Sequence, residues 1–241
     1  MHRTTSVMHG RSRAIAIYAW ALDNLRRTMG LALVAPMPQA GLQGGAGGPV
    51  AAHADMRLQV SRRVDWRFLL PDPILGRVAY LGPTRGALLD SLRMFSAALT
   101  VIEAAALHDN LSAQFELVVV KAPIGAKMKQ AAELVGPGGY LYVEVLRRWG
   151  RSPADYISAI RQLRFVEVEA YWHWPNFGAC TEIVPLGDPV AITHALGQHR
   201  SGGAERLKSA LGRALVRMGL LARLVPCFSL VARKQARSES K

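Results

Sequence analysis

The sequence predicts an α/β protein with a doubly wound, mostly parallel sheet, helices on both faces and a helical extension at the N-terminus. From Met56 onward, short apolar runs rich in valine, leucine and isoleucine alternate with stretches of helical spacing. The apolar runs are nearly continuous, as in strands that are buried on both faces of a sheet. Half of the 241 residues are hydrophobic, which is enough for one substantial core.

The predicted elements follow one another in a regular order. The strands are 77–82 (RVAYLG), 99–103 (LTVIE), 115–120 (FELVVV), 136–146 (GPGGYLYVEVL), 164–172 (RFVEVEAYW) and 227–234 (CFSLVARK). The helices are 87–97, 126–135, 152–163, 189–199 and 204–223. Only a short segment separates the second strand from the third, so any further strand there must be abbreviated to something like ALHDN, residues 106–110. Strands that alternate with helices favour parallel pairing with crossover connections.

The ends of the chain differ in composition from its middle. Residues 12–35 mix apolar and basic side chains at helical spacing, and residues 36–55 are rich in glycine, proline and alanine, as in a flexible linker. The predicted division is therefore 1–55 for the helical extension and linker, 56–235 for the α/β domain and 236–241 for a tail. Within the domain, residues 175–226 are expected to form an insertion at the substrate edge of the sheet.

The charge balance is strongly basic, with a formal net charge of +13 at pH 7. Such a surface attracts anionic partners. The arginines are scattered, however, and no lysine-rich arm stands out, which disfavours nucleic acid as a partner. We expect an anionic or lipid-linked small-molecule substrate. Peripheral membrane contact through the predicted helix 204–223 is a second hypothesis, and packing of that helix on the sheet is its ordinary alternative.

Cysteine content and short motifs restrict the setting and the chemistry. Cys180 and Cys227 offer neither a disulfide framework nor metal-ligand spacing, and no apolar run reaches the length of a spanning helix. A cytoplasmic location is expected, and a twin-arginine signal around Arg26 and Arg27 is the less favoured alternative. HExxH, CxxC, GxSxG and GK[ST] patterns do not occur. Metal-dependent hydrolysis, serine hydrolysis and nucleoside triphosphate cleavage therefore have no motif support, and no metal site is predicted.

A glycine turn follows the first predicted strand. In YLGPTRGALL the strand stops at Gly82, and a helical pattern begins after Gly86. A strand–turn–helix element of this kind offers free backbone N–H groups and the positive end of a helix to a ligand. Glu103 ends the next strand 21 residues after Gly82, where an acid can accept hydrogen bonds from a ribose diol. Together, the turn and the acid favour a ribose-bearing cofactor.

Five segments in this order resemble the class I S-adenosylmethionine-dependent methyltransferases, over residues 77 to about 172: VAYLGPTRG, LTVIE, FELVVVKAPIG, AELVGPGGYLYVEV and FVEVEAYW. The resemblance implies a Rossmann-like, three-layer αβα fold and S-adenosylmethionine as cofactor. It also implies that the turn cradles the methionine part, that the acid after the second strand holds the ribose, and that residues near the third strand face the adenine and the transferred methyl group. The implied cofactor-binding residues are Gly82, Pro83, Gly86, Glu103, Asp109, Val120 and Lys121.

The chain departs from the family pattern in three places. Tyr80 stands where the family usually has an acid before its first glycine, and Pro83, Thr84 and Arg85 lie inside a turn that is usually richer in glycine. The segment between the second and third strands is short, which leaves the adenine-binding role of Asp109 open. The KAPI segment after the third strand is also unlike the motif of enzymes that methylate nucleobase amino groups.

The stretch YWHWPNF after the fifth strand carries the candidate catalytic residue. His173 can act as a general base at neutral pH, and Trp172 and Trp174 on either side of it, together with Pro123, can form the walls of a substrate pocket. The alternative is that the tryptophans belong to the core and that His173 is a satisfied polar residue. Glu144 lies within a strand and is expected to pair with an arginine.

Three functions remain open on these grounds. The leading hypothesis is a methyltransferase that acts on a small molecule or biosynthetic intermediate, with oxygen as the favoured acceptor atom. The first alternative is a degenerate member of the fold that binds a partner without catalysis. The second is a nicotinamide-dependent oxidoreductase, which the absence of a GxGxxG motif disfavours.

Overall fold

The computed structural model describes residues 60–102, 115–123, 125–146, 151–198, 212, 214–216 and 218–236. The predicted N-terminal helix and linker, Glu103, Asp109 and the abbreviated strand at 106–110 lie outside the described residues, as do half of the residues of the predicted helix 204–223 and nearly all of the tail. The predicted domain boundaries therefore remain predictions.

The described residues contain seven strands and four α-helices, besides short helical segments. The strands are β1 (Leu75–Leu81), β2 (Ser96–Val101), β3 (Phe115–Lys121), β4 (Val135–Leu146), β5 (Phe165–Trp174), β6 (Glu182–Pro185) and β7 (Cys227–Lys234). The helices are α1 (Ala87–Phe95), α2 (Gly125–Leu134), α3 (Pro153–Gln162) and α4 (Pro189–Gln198). Two 3₁₀ segments, Asp65–Leu69 and Leu221–Arg223, precede β1 and β7.

All seven strands form one sheet in the order β2-β1-β3-β4-β7-β5-β6. The pairs β1–β2, β1–β3 and β3–β4 are parallel, whereas β7 is antiparallel to both β4 and β5, and β6 is antiparallel to β5. Five strands consequently run in one direction and two in the other. The predicted fold class, an α/β protein with a mostly parallel sheet, is confirmed.

Apolar side chains cover both faces of the sheet, as the nearly continuous apolar runs predict. On one face, Leu88, Leu89 and Leu92 of α1 pack with Trp66 and Val78. On the other face, α2, α3 and α4 contribute their buried side chains to a second cluster centred on β3, β4 and β7. The two clusters make the three-layer arrangement, and we call these sides the α1 face and the α2 face.

Two predicted boundaries differ from the structure, and one strand was not predicted. The predicted helix 87–97 ends at Phe95, and β2 begins at Ser96 with no turn residue between them. Within the stretch 175–226, β6 pairs with β5 at the sheet edge, and the expectation that this stretch forms an insertion at the substrate edge stays a prediction. β6 has little signature in the sequence, since a four-residue strand is too short to show a period.

Local sequence signals account for the start of α3. Ser152 accepts a hydrogen bond from the backbone N–H of Asp155, the Asp155 carboxylate accepts one from the backbone N–H of Ser152, and Pro153 occupies the first turn. This capping box satisfies two backbone donors that a helix start otherwise leaves without partners. Among the described residues, no helix is both long and apolar enough to span a lipid bilayer.

Candidate functional site

The connections out of β1 and β3 diverge at the centre of the sheet. From β1 the chain passes through α1 to β2 on one side, whereas β3, on the other side, continues through α2 to β4. Ligands of open α/β sheets bind outside the carboxyl ends of the strands at such a point of divergence. A cleft of about 180 Å³ lies there, lined by Leu81, Gly82, Pro83, Thr84, Ile102, Lys127 and Gln130. We call it the Gly82 cleft.

The turn between β1 and α1 forms one wall of this cleft. Pro83, Thr84 and Arg85 are exposed, and Gly86 precedes the helix with φ +128°, a conformation that side chains rarely adopt. Gly82 is required for another reason: a Cβ atom there would lie 2.3 Å from the phenol oxygen of Tyr80. The absence of a side chain at this glycine therefore accommodates a neighbouring side chain of the protein itself, in addition to any ligand.

The amino end of α1 also faces the turn without a side-chain cap. Gly86 has no side chain with which to accept a hydrogen bond from the first helical N–H groups. Uncapped N–H groups and the helix dipole together favour an anionic group near the start of a helix. The backbone at this edge can thus take part in binding an anion.

The other wall of the cleft comes from α2. Gln130 is only 6% exposed, and its side-chain nitrogen Nε2 is buried without a hydrogen-bond partner among the described residues. Lys127 lies one helical turn away on the same face of α2, and no carboxylate of the described residues pairs with it. Buried donors in folded proteins are nearly always paired, and at the edge of a cleft a bound ligand can supply the acceptor that this donor lacks among the described residues.

The structure brings together several of the predicted cofactor-binding residues. Leu81, just before the turn, is aligned with Val120 in the parallel pair β1–β3, so the turn lies beside the end of β3. Val120 is fully buried, Lys121 is half-buried at the last position of β3, and Pro123 follows it. Gly82, Pro83, Val120 and Lys121 consequently share one edge of the sheet, and Gly86 lies at the start of α1.

His173 lies elsewhere. Its strand, β5, is separated from β3 by β4 and β7, which amounts to three strand spacings or about 14 Å. The imidazole is 2% exposed, its Nε2 is 2.8 Å from Oγ of Ser229, and its Nδ1 is 3.5 Å from Sγ of Cys180. Burial, followed by the nearby Arg63 charge, lowers the pKa of His173 to about 3. The ring is therefore neutral in the fold and holds both nitrogens against protein atoms.

The expectation that two tryptophans flank this imidazole is not met. Successive side chains of a strand point to opposite faces, so Trp172 and Trp174 lie on the α2 face while His173 lies on the α1 face. The two indole rings contact each other edge to face, with centroids 4.8 Å apart. Trp172 is 3% exposed and belongs to the core. This geometry agrees with the alternative in which the tryptophans serve packing.

Several polar side chains are buried together on the α1 face, and the sequence predicted only one interaction among them, the pairing of Glu144 with an arginine. Arg63 donates two hydrogen bonds of 2.6 Å to the two carboxylate oxygens of Glu144, which confirms that Glu144 pairs with an arginine. Tyr142 donates to Glu144 at 3.3 Å and is also hydrogen-bonded to Ser229. Burial lowers the pKa of Arg63, but hydrogen bonding to Glu144 and attraction by its charge raise it overall. We call Arg63, Tyr142, Glu144, His173 and Ser229 the buried polar cluster.

Comparison with known proteins finds likeness in structure but not in sequence. No protein-family model matches the chain, and no curated protein matches it. A SAM-dependent methyltransferase from Thermotoga maritima is 13% identical over 77% of this chain and 96% of its own, with a TM-score of 0.44. One from Archaeoglobus fulgidus is 12% identical over 76% and 99%, with a TM-score of 0.43.

A third similar structure is phosphoethanolamine N-methyltransferase 2 from Haemonchus contortus, determined with S-adenosylhomocysteine. It is 12% identical over 72% of this chain and 52% of its own, with a TM-score of 0.39. Likenesses at this level leave the site to be argued from the chain's own residues.

Proposed function

We propose that the protein is an S-adenosylmethionine-dependent methyltransferase that acts on a small molecule or biosynthetic intermediate, with transfer to oxygen. The observation that carries the proposal is the Gly82 cleft, which lies at the divergence of β1 and β3 and contains a buried amide donor that has no partner in the described part of the chain. The sequence resemblance supports the choice of cofactor, because the turn, the second strand and the glycine-rich start of β4 occur in the order of that family.

The residues of the cleft suit one end of such a cofactor. Leu81 and Ile102 supply apolar walls, and the start of α1 together with Gln130 supplies hydrogen-bond donors. When bound, S-adenosylmethionine supplies an electrophilic methyl group on a sulfonium. The contribution of the protein is then to hold the acceptor oxygen in line with that methyl group, while a base or water takes the hydroxyl proton.

The proposed acceptor is anionic or lipid-linked, in accordance with the net charge of +13. Transfer to oxygen stays a proposal based on the sequence. His173 is not included as the base, because both of its ring nitrogens contact protein atoms within the fold. The ribose role of Glu103 and the adenine role of Asp109 also stay predictions, and loss of cofactor affinity in a Glu103→Ala variant would support the first.

The test is calorimetric titration of the full chain with S-adenosylhomocysteine. We expect binding in the micromolar range, and we expect Thr84→Trp, which fills the Gly82 cleft, to weaken it at least tenfold. Arg85→Trp is the matched control, because this residue lies in the same exposed turn but does not line the cleft. The proposal fails if the wild-type chain binds neither S-adenosylhomocysteine nor S-adenosylmethionine.

The second candidate is a protein of this fold that binds a ligand or a partner without catalysis. It is favoured by the enclosed His173 and by the exposed Pro83, Thr84 and Arg85 in a turn where the family has more glycine. Cofactor binding without methyl transfer to any acceptor from a panel of hydroxyl compounds would support this candidate. Turnover of one such acceptor by the purified chain alone would exclude it.

A further inference from the structure

Lys127 and Gln130 stand one helical turn apart on α2, at the edge of the Gly82 cleft. We propose that these two side chains recognise a carboxylate at the amino-acid end of the ligand, a role that no glycine of the turn performs. This inference rests on the proposed function, since it takes the ligand to be an S-adenosyl amino acid.

The first step concerns the chemistry of the two side chains. A lysine ammonium has three donors and no acceptor, and the partnerless atom of Gln130 is the donor Nε2. Gln130 is more than nine-tenths buried, so water does not readily replace the missing acceptor. Two neighbouring donors, one of them charged, fit an anionic acceptor with two oxygens.

The second step concerns the sign of the charge. None of the described residues that line the cleft is acidic, so an ammonium group placed there would meet Lys127 and no carboxylate. The start of α1 adds a partial positive charge from its uncapped N–H groups. The described part of the cleft therefore favours the carboxylate of an amino acid over its amine.

The third step concerns the turn itself. Pro83 has no backbone N–H, so this turn offers one backbone donor fewer than a glycine-rich turn of the same length. Side chains from α2 supply donors on the opposite wall of the cleft. The proline in the turn and the amide of Gln130, which has no partner among the described residues, thus receive one explanation.

The experiment compares two probes that differ at the amino-acid end. S-adenosylhomocysteine carries the carboxylate, whereas 5′-methylthioadenosine has the same nucleoside and thioether without it. For the wild-type full chain we expect at least tenfold tighter binding of the first probe. Lys127→Met and Gln130→Leu should each weaken S-adenosylhomocysteine binding about tenfold and leave 5′-methylthioadenosine binding within twofold. Lys129→Met, an exposed position on α2, is the control and should change neither affinity.

A readout without ligand distinguishes recognition from a structural role. Because Nε2 of Gln130 has no partner among the described residues, Gln130→Leu should leave the thermal midpoint of the free protein unchanged or raise it. A lower midpoint would indicate a structural role and would count against the proposal. Equal S-adenosylhomocysteine affinities in wild type and both variants would overturn the inference while leaving the proposed function standing.

The remaining outcomes are also decisive. Binding of neither adenosyl probe by the wild type would overturn both the proposed function and this inference. If NAD bound instead, with an affinity that depended on Lys127, the anion would be a phosphate and the carboxylate assignment would be wrong. If wild type bound both adenosyl probes equally, the amino-acid end would make no contact in the cleft, and the inference would fail alone.

Discussion

We expect that breaking the ion pair between Arg63 and Glu144 lowers the free energy of unfolding more than the loss of any other single interaction among the described residues. Its two hydrogen bonds are 2.6 Å long, and the two side chains are only 8% and 2% exposed. Glu144→Gln keeps the size of the side chain but removes its charge, which leaves the guanidinium buried without compensation. Breaking a buried pair in this way costs about 3–5 kcal/mol. That is a large share of the roughly 5–15 kcal/mol that stabilises a typical domain.

The assay is urea unfolding followed by tryptophan fluorescence. Trp66 is a built-in reporter, because its ring stacks on Tyr142 with centroids 3.7 Å apart, directly beside the pair. We expect the unfolding midpoint of Glu144→Gln to fall by an amount equivalent to several kcal/mol at unchanged slope. Glu116→Gln is the matched control: its partner Arg77 is 3.5 Å away, and both side chains are 62% exposed, so we expect about 0–1 kcal/mol.

A double variant separates the cost of a stranded charge from the value of the pair. In Arg63→Met/Glu144→Leu no charge remains buried, so the loss should be smaller than in Glu144→Gln alone. The reasoning is refuted if Glu144→Gln and Glu116→Gln lose the same stability to within 1 kcal/mol. It is also refuted if the double variant is less stable than the single one, because the pair would then contribute more than its charges cost.

Three further predictions follow from burial and capping. The pKa of His173 falls from 6.5 to about 3 on folding, so the unfolded chain binds one more proton between these values. The stability that the neutral ring provides is present above pH 6.5 and is lost as the pH falls toward 3, and His173→Gln should reduce this acid dependence by up to about 1.4 kcal/mol per pH unit in denaturant titrations. Burial raises the pKa of Cys180 to about 11 and that of Cys227 to about 12, so both are protonated thiols at pH 7.5. A thiol-modifying disulfide reagent at this pH should therefore label both only after denaturation, and rapid labelling of the folded protein would contradict this. Ser152→Ala removes the capping box and should cost about 1 kcal/mol of unfolding free energy, whereas Ser158→Ala, exposed within the same helix, should not.

The sheet could be predicted because its strands are buried on both faces. β1, β3, β4 and β7 are nearly continuous runs of apolar residues, whereas a helix with one exposed face would have polar residues at regular intervals. The observed bounds of these four strands differ little from the predicted ones. The boundary between α1 and β2 could not be predicted, since Phe95 and Ser96 carry no breaker signal.

Less of the candidate site than of the sheet could be predicted from the sequence. Lys127 and Gln130 look like ordinary polar residues of a surface helix, and only the packing of α2 against the cleft shows that the glutamine is buried. The separation of the two tryptophans from His173, by contrast, follows from the sequence once this stretch is taken as a strand. In a strand, Trp172 and Trp174 must share a face, and His173 must lie on the other.

Tyr80 takes part both in the packing of the α1 face and in the turn at Gly82. Its ring packs on the α1 face, where burial first, and then the charge of Glu144, raises the pKa of its phenol to about 12, so it stays protonated at neutral pH. The same phenol fills the space that a side chain at Gly82 would need. A glycine at this turn is therefore not by itself a sign of ligand binding, since internal packing already requires it. What supports a ligand is the other wall of the cleft, where Gln130 keeps a buried donor that has no acceptor among the described residues.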